Sequence, residues 1–335
     1  MATIYQVSEL AKVSLATVSR VMNGNAKVSD KTREKVLSAM KELGYRPNSI
    51  AQSLASSRGN SIGLLVSELD GAFFGEMMAG VEGELRAAGK HIIVPTGHSI
   101  EEKEKEGIEF LISRNCDAII LHVEAVSDEY LVELSKGKTP IFIISRYVEQ
   151  LSEQCISLDN ELGGYLATKS LLTLGHTDIA CIAGPQYKFD AKARFKGYQR
   201  ALAEHNISFK EALFYSADFK ETGGSEGIAH LMAQSQKFTG LVCGNDEMAS
   251  GAMTYAREHG LSLPEELSVV GFDDVIFARY LYPKLTTILN PVNEMGKMAA
   301  KLVLKQVYQT AEKNIQQVFE PSLIVRESAK ALHKA

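Results

Sequence analysis

The sequence contains no tryptophan and only four cysteines in 335 residues. Cys116, Cys155, Cys181 and Cys243 stand far apart in apolar, strand-like segments, and no pair has the C-x-x-C spacing of a zinc or redox site. Isolated cysteines of this kind indicate buried, reduced thiols in a cytoplasmic protein. We therefore expect no metal site and no cofactor.

Long apolar runs are also absent. No stretch of 18 apolar residues exists that could cross a bilayer. The N-terminal segment MATIYQVSELAKV lacks the basic region and apolar core of a signal peptide. With 45% apolar and 23% charged residues, the composition is typical of a soluble globular protein, and the length suits two or three domains. We expect a cytoplasmic protein without membrane contact.

Most short catalytic motifs are missing, including Walker A, G-x-G-x-x-G after a strand, and HExxH. One segment, Gly223–Gly227, fits the G-x-S-x-G pattern with Ser225 as a nucleophile. That motif needs an apolar strand directly before it, whereas the polar segment SADFKET stands there. A glycine-rich helix start is the favoured interpretation. We expect no catalytic residue, and an enzyme that uses Ser225 stays a rival hypothesis.

Charge is unevenly distributed along the chain. The net charge is −5, yet residues 1–58 hold nine Lys/Arg against four Asp/Glu, so this part carries +5 and the remainder carries −10. A basic head on an acidic body is typical of a DNA-binding module joined to a domain with another task.

Residues 5–23 show the pattern of two short helices joined by a tight turn. The first is predicted over Gln6–Lys12, with an apolar stripe at Val7, Leu10 and Ala11. The second is predicted over Leu15–Met22, with Ser14 as its N-cap and with Val18, Val21 and Met22 facing inward. This spacing fits a helix-turn-helix, although a helical hairpin in an ordinary core has the same pattern.

A third helix is predicted over Ser29–Leu43, where apolar residues recur at helical spacing at Val36, Leu37, Met40 and Leu43. Arg46-Pro47 ends it. A short helical pattern over 48–57 follows, and RGNS leads out of it. A helix this short is marginal in water, so on its own the segment is a linker.

From Ser61 onward, apolar strands alternate with helices. Strands are predicted at 61–67, 91–96, 117–123, 140–145 and 155–159, and again at 178–184, 212–216, 240–244 and 267–272. Near-continuous apolar strands separated by helices indicate parallel sheets covered on both faces. The fold class is therefore a small all-α headpiece and an α/β body of two doubly wound lobes. A last helix at 293–309 and strands near 317–319 and 322–325 close the chain.

Two lobes of this kind make a hinged ligand trap, because ligands bind beyond the carboxyl ends of parallel strands. Charged, amide and aromatic residues follow those ends. The set offers hydrogen-bond acceptors, fixed donors and apolar ring faces, as a sugar requires. Each residue taken alone is better explained as a helix cap or a surface charge, and the prediction rests on the set. The candidates are Phe73, Phe74, Ser145, Asp190, Arg194, Phe219, Asn245 and Asp273.

The strings ATVSRVMN, VSDKTREKV and YRPNSIAQSLAS resemble the DNA-binding headpiece of the lactose/galactose-repressor (LacI/GalR) family, most nearly the galactose type. The resemblance runs to the C-terminus. GPQYKFDAKARFKGY, NDEMASGAM and VVGFDD are similar to family segments that bind ligand, and they imply roles for Arg194, Asn245 and Asp273. Phe219 and the pair Phe73-Phe74 match family aromatics. Ser145 and Asp190 depart from the sugar-binding pattern, so the identity of the sugar stays open.

The resemblance also implies three domains: the headpiece 1–46, a hinge helix and linker 47–60, and a body 61–335 resembling periplasmic binding proteins. Lobe 1 is expected at about 61–158 and 292–319, and lobe 2 at about 160–289 and 322–330. In the family the hinge helix orders on operator DNA, and a leucine matching Leu54 wedges into the minor groove. The expected DNA-binding residues are Leu15, Ala16, Thr17, Ser19, Arg20, Asn23, Asn48, Ala51 and Leu54.

We therefore predict a non-enzymatic transcriptional repressor of a carbohydrate-utilisation operon, released from operator DNA by a small sugar. One headpiece reads about half a site, so a homodimer should bind a palindromic operator. The chain ends SAKALHKA without a leucine heptad, which favours a dimer over a tetramer. A regulator controlled by a purine-like co-repressor is the main alternative. A periplasmic-type sugar-binding protein would need a signal peptide and would lack residues 1–58.

Overall fold

The computed structural model describes residues 2–22, 28–46 and 59–332. It divides into two compact units, Met1–Asn60 and Ser61–Ala335. Over these residues, no helix combines the length and the apolar character needed to cross a bilayer. The predicted hinge helix and the candidates Asn23, Asn48, Ala51 and Leu54 lie outside the described residues.

In its described residues, the first unit has three helices: α1 (Ile4–Ala11), α2 (Leu15–Met22) and α3 (Asp30–Glu42). The first begins two residues earlier than predicted. Thr3 and Gln6 form a capping box there, in which the side chain of each accepts from the backbone N–H of the other. The helix ends at Ala11 because Lys12 adopts left-handed backbone angles, with φ at 54°.

The core of this unit is narrower than the sequence pattern predicted. Val7, Val18 and Val36 are completely buried at its centre. Leu10 and Leu37, predicted to be part of the apolar stripes, are instead 42% and 51% exposed. Three short helices enclose only the central line of residues on each helix, so apolar residues at the edge of a stripe remain in contact with solvent.

The second unit contains the two predicted lobes. In lobe 1, strands β1 (Ser61–Leu65), β2 (His91–Ile93), β3 (Ala118–Leu121), β4 (Ile141–Ile144), β5 (Cys155–Leu158) and β11 (Val318–Phe319) form a parallel sheet of order β11-β5-β4-β3-β1-β2. Its helices are α4 (Ala72–Ala87), α5 (Glu101–Ser113) and α6 (Asp128–Ser135). All four residues of β3 and of β4 are buried, as expected for a sheet covered on both faces.

Lobe 2 repeats the architecture. Its sheet order is β12-β10-β9-β8-β6-β7, built from β6 (Ile179–Ala183), β7 (Phe214–Ser216), β8 (Gly240–Cys243), β9 (Ser268–Asp273), β10 (Thr286–Leu289) and β12 (Ser322–Ile324). Its helices are α7 (Asn160–Thr173), α8 (Phe189–Glu204), α9 (Glu221–Ala233) and α10 (Asp246–Glu258). The β10–β12 pair alone is antiparallel among the described pairs.

The last helix, α11 (Val292–Tyr308), leaves lobe 2 and packs on α4 and on strands β3 to β5 of lobe 1. The chain therefore passes between the lobes after β5, after β10 and between β11 and β12. Strand β10 was missed in the sequence, because TTIL is short and follows the irregular segment ARYLYPKL, with no α-helix between β9 and β10 in the described residues. It pairs with β9 in parallel, so that Leu289 lies opposite Asp273.

Candidate functional site

Five of the residues predicted to read DNA lie on α2. Leu15, Ala16 and Arg20 are exposed, and Thr17 and Ser19 are half-buried. The Ser14 hydroxyl accepts a hydrogen bond from the Thr17 N–H at 3.2 Å, which caps the helix as expected. The Ser14 and Thr17 hydroxyls are also 2.9 Å apart, so the Thr17 hydroxyl is already engaged.

The eight predicted ligand residues line a single cleft between the two lobes. The cleft has an empty volume of about 940 Å³, which includes open solvent at its mouth. Its residues come from the carboxyl ends of strands in both sheets and from the loops and helices that follow them. The topology explains this arrangement, since parallel strands in each lobe end at the same edge of the sheet.

Arg194 is held by contacts on all sides. It projects from α8, is 8% exposed, and donates from Nε to Asn160 Oδ1 at 2.9 Å and from Nη1 to the Gly244 carbonyl at 2.6 Å. Its guanidinium lies 3.7 Å from the centre of the Phe272 ring. Nη2 lies 3.5 Å from Asp273 Oδ1 and faces the cleft. The planar group is therefore fixed before any ligand binds.

Asp273 ends strand β9 with a φ of 111°, a backbone conformation that places its carboxylate at the cleft. Its Oδ1 accepts from Asn290 Nδ2 at 3.0 Å. Burial raises its pKa to about 6, and the nearby Arg194 guanidinium and the Asn290 hydrogen bond limit the increase. Within the described residues, no hydrogen bond to Oδ2 occurs.

Asn245 has a structural task as well. Its Oδ1 accepts from the Met248 N–H at 2.9 Å and so caps α10, and its Nδ2 donates to the Phe219 carbonyl at 2.9 Å. The neighbouring Asp246 is buried against the Thr287 hydroxyl and the Val275 N–H. The side chain of Asn245 lines the cleft with much of its hydrogen-bonding capacity already used.

Aromatic rings line both sides of the cleft. In lobe 1 the Phe73 and Phe74 rings meet edge to face at 5.3 Å, and both also contact the ring of His122. In lobe 2 Phe219 adopts a φ of 70°, and its ring fills the space where a side chain on Gly184 would lie. The cleft therefore offers apolar faces to an effector from two directions.

Ser145 and Asp190 also line the cleft, where the sequence departs from the family pattern. Ser145 follows β4 with a φ of 67°, and its buried Oγ has no hydrogen-bond partner within the described part of the chain. Asp190 lies in the first turn of α8, and its Oδ2 is 3.7 Å from Arg194 Nη2.

Several cleft residues were missed in the sequence. All of them have a charged or amide side chain. Each lies either in a loop after a strand or within two residues of the start of a helix. They are Glu68, Glu124, Asn160, Lys188, Lys220, Glu247 and Asn290. Lys188 Nζ lies 2.8 Å from Glu124 Oε2, and Lys220 pairs with Glu68. Each pair joins lobe 2 to lobe 1. Local sequence carries no signal for them, because the partners are 64 and 152 residues apart.

The proposed nucleophile motif does not form an elbow. Gly223–Gly227 lies inside helix α9, after a polar segment and away from any strand end. Ser225 donates its hydroxyl to the Gly251 carbonyl on α10 at 3.1 Å. Gly224 allows this close packing, because a side chain there would approach the Met248 carbonyl to 2.0 Å. The glycines therefore serve helix packing, and the enzyme hypothesis that used Ser225 was wrong.

All four cysteines are buried and unpaired. Over residues 2–22, 28–46 and 59–332, no group of three or more potential metal ligands occurs.

Comparison with known proteins agrees with both units. Residues 3–48 match the model of bacterial regulatory proteins of the lacI family, and residues 168–329 match the periplasmic binding protein-like domain. The chain is similar to the HTH-type transcriptional regulator GalR of Escherichia coli (strain K12), with 38% identity over 98% of this chain and 96% of that protein. It is 35% identical to the ribose operon repressor of Haemophilus influenzae over 99% of this chain and all of that protein.

Among solved structures, the lac repressor dimer bound to operator and the anti-inducer ONPF is similar to this chain. Its TM-score is 0.86 at 29% identity, and the match covers 98% of this chain and 99% of that one.

Proposed function

Because the chain belongs to the LacI family of bacterial regulatory proteins, we propose that it represses a carbohydrate-utilisation operon and leaves its operator when a small sugar binds in the cleft. It is a non-enzymatic, DNA-binding regulator that acts as a homodimer on a palindromic site. We further infer that it works in the cytoplasm, where its operator is.

The observation that carries the proposal is the combination of two sites in one chain. An exposed surface on α2 stands in one unit, and an acceptor-rich cleft lined by aromatic rings stands in the other. A ligand that binds the two states of the body with different affinities changes their populations, and so changes operator binding.

For the DNA site, we propose that 1–46 is the reading domain and 47–60 is a hinge that orders on the operator. Leu15 and Ala16 would contact thymine methyl groups, and Arg20 would donate to guanine. Thr17, Ser19, Asn23, Asn48 and Ala51 would support backbone and groove contacts, and Leu54 would wedge into a base step. For the effector site, we propose the eight residues that line the cleft in the body 61–335, with Asp273 and Arg194 at its centre.

The experiment that tests this function has two stages. A binding-site selection with the full chain yields its operator, and fluorescence anisotropy then measures affinity as salt is varied. We expect a palindrome and a steep loss of affinity with salt, because counterions are released when Lys and Arg meet phosphates. A flat salt dependence would contradict DNA recognition.

The second stage adds D-galactose, D-ribose, cellobiose, guanine and hypoxanthine to the operator complex. Release by a sugar supports the proposal. Tighter operator binding with a purine would instead support the co-repressor alternative.

A further inference from the structure

The cleft contains more negative than positive side chains. Its lining includes six carboxylates, Glu68, Glu124, Asp190, Asp218, Glu247 and Asp273, and four cations, Arg146, Lys188, Arg194 and Lys220. His122 also lines it. An anionic effector would need a cation that is free to meet it.

Each of the four cations has a carboxylate partner of its own. Arg146 pairs with Asp128, and Arg194 lies between Asp273 and Asp190. Lys188 Nζ lies 2.8 Å from Glu124 Oε2, and Lys220 pairs with Glu68. The positive charges of the cleft are therefore already neutralised by the protein.

The Glu124–Lys188 pair is the more deeply placed of the two lysine pairs, since their side chains are only 14% and 12% exposed. Glu124 Oε2 also accepts from the hydroxyls of Ser67 and Ser99. Burial by itself would raise the pKa of Glu124, but His122 and Lys188 hold it at about 2. The Glu124 carboxylate therefore stays ionised at any physiological pH, and its ion pair with Lys188 persists.

Both lysine pairs also cross between the lobes, because Lys188 and Lys220 belong to lobe 2 while Glu124 and Glu68 belong to lobe 1. A phosphate group that binds either lysine competes with its carboxylate for the ammonium group, and displacing that carboxylate breaks a contact that links the lobes. The displaced glutamate would then face the phosphate as a like charge.

We propose that Glu124 and Glu68 are specificity-determining residues, which hold Lys188 and Lys220 so that the cleft admits uncharged sugars and excludes anionic ones such as sugar phosphates. The inference rests on the proposed sugar response and adds the charge class of the effector.

Calorimetry on the full-length chain tests it. The probes are D-galactose with D-galactose 6-phosphate, D-ribose with D-ribose 5-phosphate, and inorganic phosphate alone. For wild type, we expect the uncharged sugar that binds to be preferred over its phosphate by at least about 100-fold, since like charges placed together cost several kcal/mol. Inorganic phosphate should not compete with that sugar.

Two variants carry the decisive comparison. Glu124→Gln and Glu68→Gln keep the shape and the hydrogen-bond acceptor but leave the lysine charge unbalanced. We expect each to bind the sugar phosphate and inorganic phosphate about tenfold more tightly or better than wild type does, so that the preference for the uncharged sugar over its phosphate falls by at least about tenfold. Glu82→Gln is the matched control, since Glu82 pairs with Arg86 on the surface of α4 and does not line the cleft.

The possible failures are distinguishable. If wild type binds the sugar phosphate as tightly as the parent sugar, the inference is overturned while the sugar response stands. The same holds if the variants prefer the uncharged sugar over its phosphate as strongly as wild type does. If no sugar of either kind binds wild type, the proposed sugar response fails. Inorganic phosphate then still tests the role of the glutamates. Tighter phosphate binding by Glu124→Gln than by wild type supports the inference, and equal phosphate binding by the two proteins refutes it. Glu68 is partly exposed, so its variant covers the case in which Glu124→Gln does not fold.

Discussion

Arg194 and Asp273 face each other at the centre of the cleft, with Nη2 3.5 Å from Oδ1 and each side chain only 8% exposed. The two residues come from different elements, the helix α8 and the end of strand β9. Their separation exceeds that of a close hydrogen bond, so the pair retains capacity to bind a hydroxyl group that lies between or beside them.

Replacing Asp273 should separate effector binding from DNA binding. Asp273→Asn keeps the shape and removes the charge, and a hydrogen bond to a charged group contributes about 1.5–3 kcal/mol. We expect effector affinity to fall about 10- to 150-fold in calorimetry, while operator affinity without effector stays at the wild-type value. Asp178→Asn, which changes a surface partner of Lys210, is the control. Unchanged effector affinity would assign Asp273 a purely structural role.

Glu247 should make the stability of the body depend on pH. Burial, together with Glu221, raises its pKa from 4.5 to about 7, and Lys220 opposes the increase. Because the folded pKa lies above the unfolded one, its stabilising contribution is complete below about pH 4.5 and is lost as the pH rises through 7. Glu247→Gln should therefore stabilise the body at pH 8 by about 1–2 kcal/mol, after allowance for its partial exposure.

The measurement is the urea midpoint of variant and wild type at pH 4.5 and at pH 8. Titrating groups that do not interact with Glu247 are common to both proteins, so their contributions cancel in the difference. If the urea midpoints of variant and wild type differ by the same amount at both pH values, the Glu247 carboxylate titrates in the folded protein as it does in the unfolded chain.

Base recognition should depend on the exposed side chains of α2. Leu15 and Ala16 have no hydrogen-bonding groups, so exchanging them with each other should change the preferred base pair while affinity for the best site changes little. Arg20→Met should weaken specific binding by about 1–3 kcal/mol, because a guanine contact is lost. A selection experiment reports the preferred operator for each variant. The same consensus for wild type and for the exchanged pair would place base recognition elsewhere.

Two glycines within helices should respond in opposite ways to alanine. At Gly224 an added Cβ would lie 2.0 Å from the Met248 carbonyl, so Gly224→Ala must separate α9 from α10 and should destabilise the body by at least about 2 kcal/mol. At Gly83, on α4, nothing lies within 4 Å, so Gly83→Ala should stabilise it by about 0.5–1 kcal/mol. Thermal unfolding of both variants tests the pair, and a neutral Gly224→Ala would mean that the helices can move apart freely.

Much of this protein can be predicted from sequence because the relevant signals are local. Apolar residues at helical spacing and the cap at Ser14 indicate α2 with its observed bounds, and apolar runs indicate the strands of both lobes. Strand ends followed by polar or aromatic residues predict a common cleft, since parallel strands end at one edge. The family strings add roles for Arg194, Asn245 and Asp273, which the structure brings to that cleft.

Other features were decided only when the chain folded. The spacing of apolar residues does not show that Leu10 is exposed, at the edge of the small core that α1, α2 and α3 enclose. It also does not show that TTIL is a strand that pairs with β9. Nor does it show that Lys188 and Lys220 are neutralised by Glu124 and Glu68. A helix or an apolar strand depends on neighbours within a few residues, whereas an ion pair between lobes depends on side chains that come together only through the tertiary packing of distant segments.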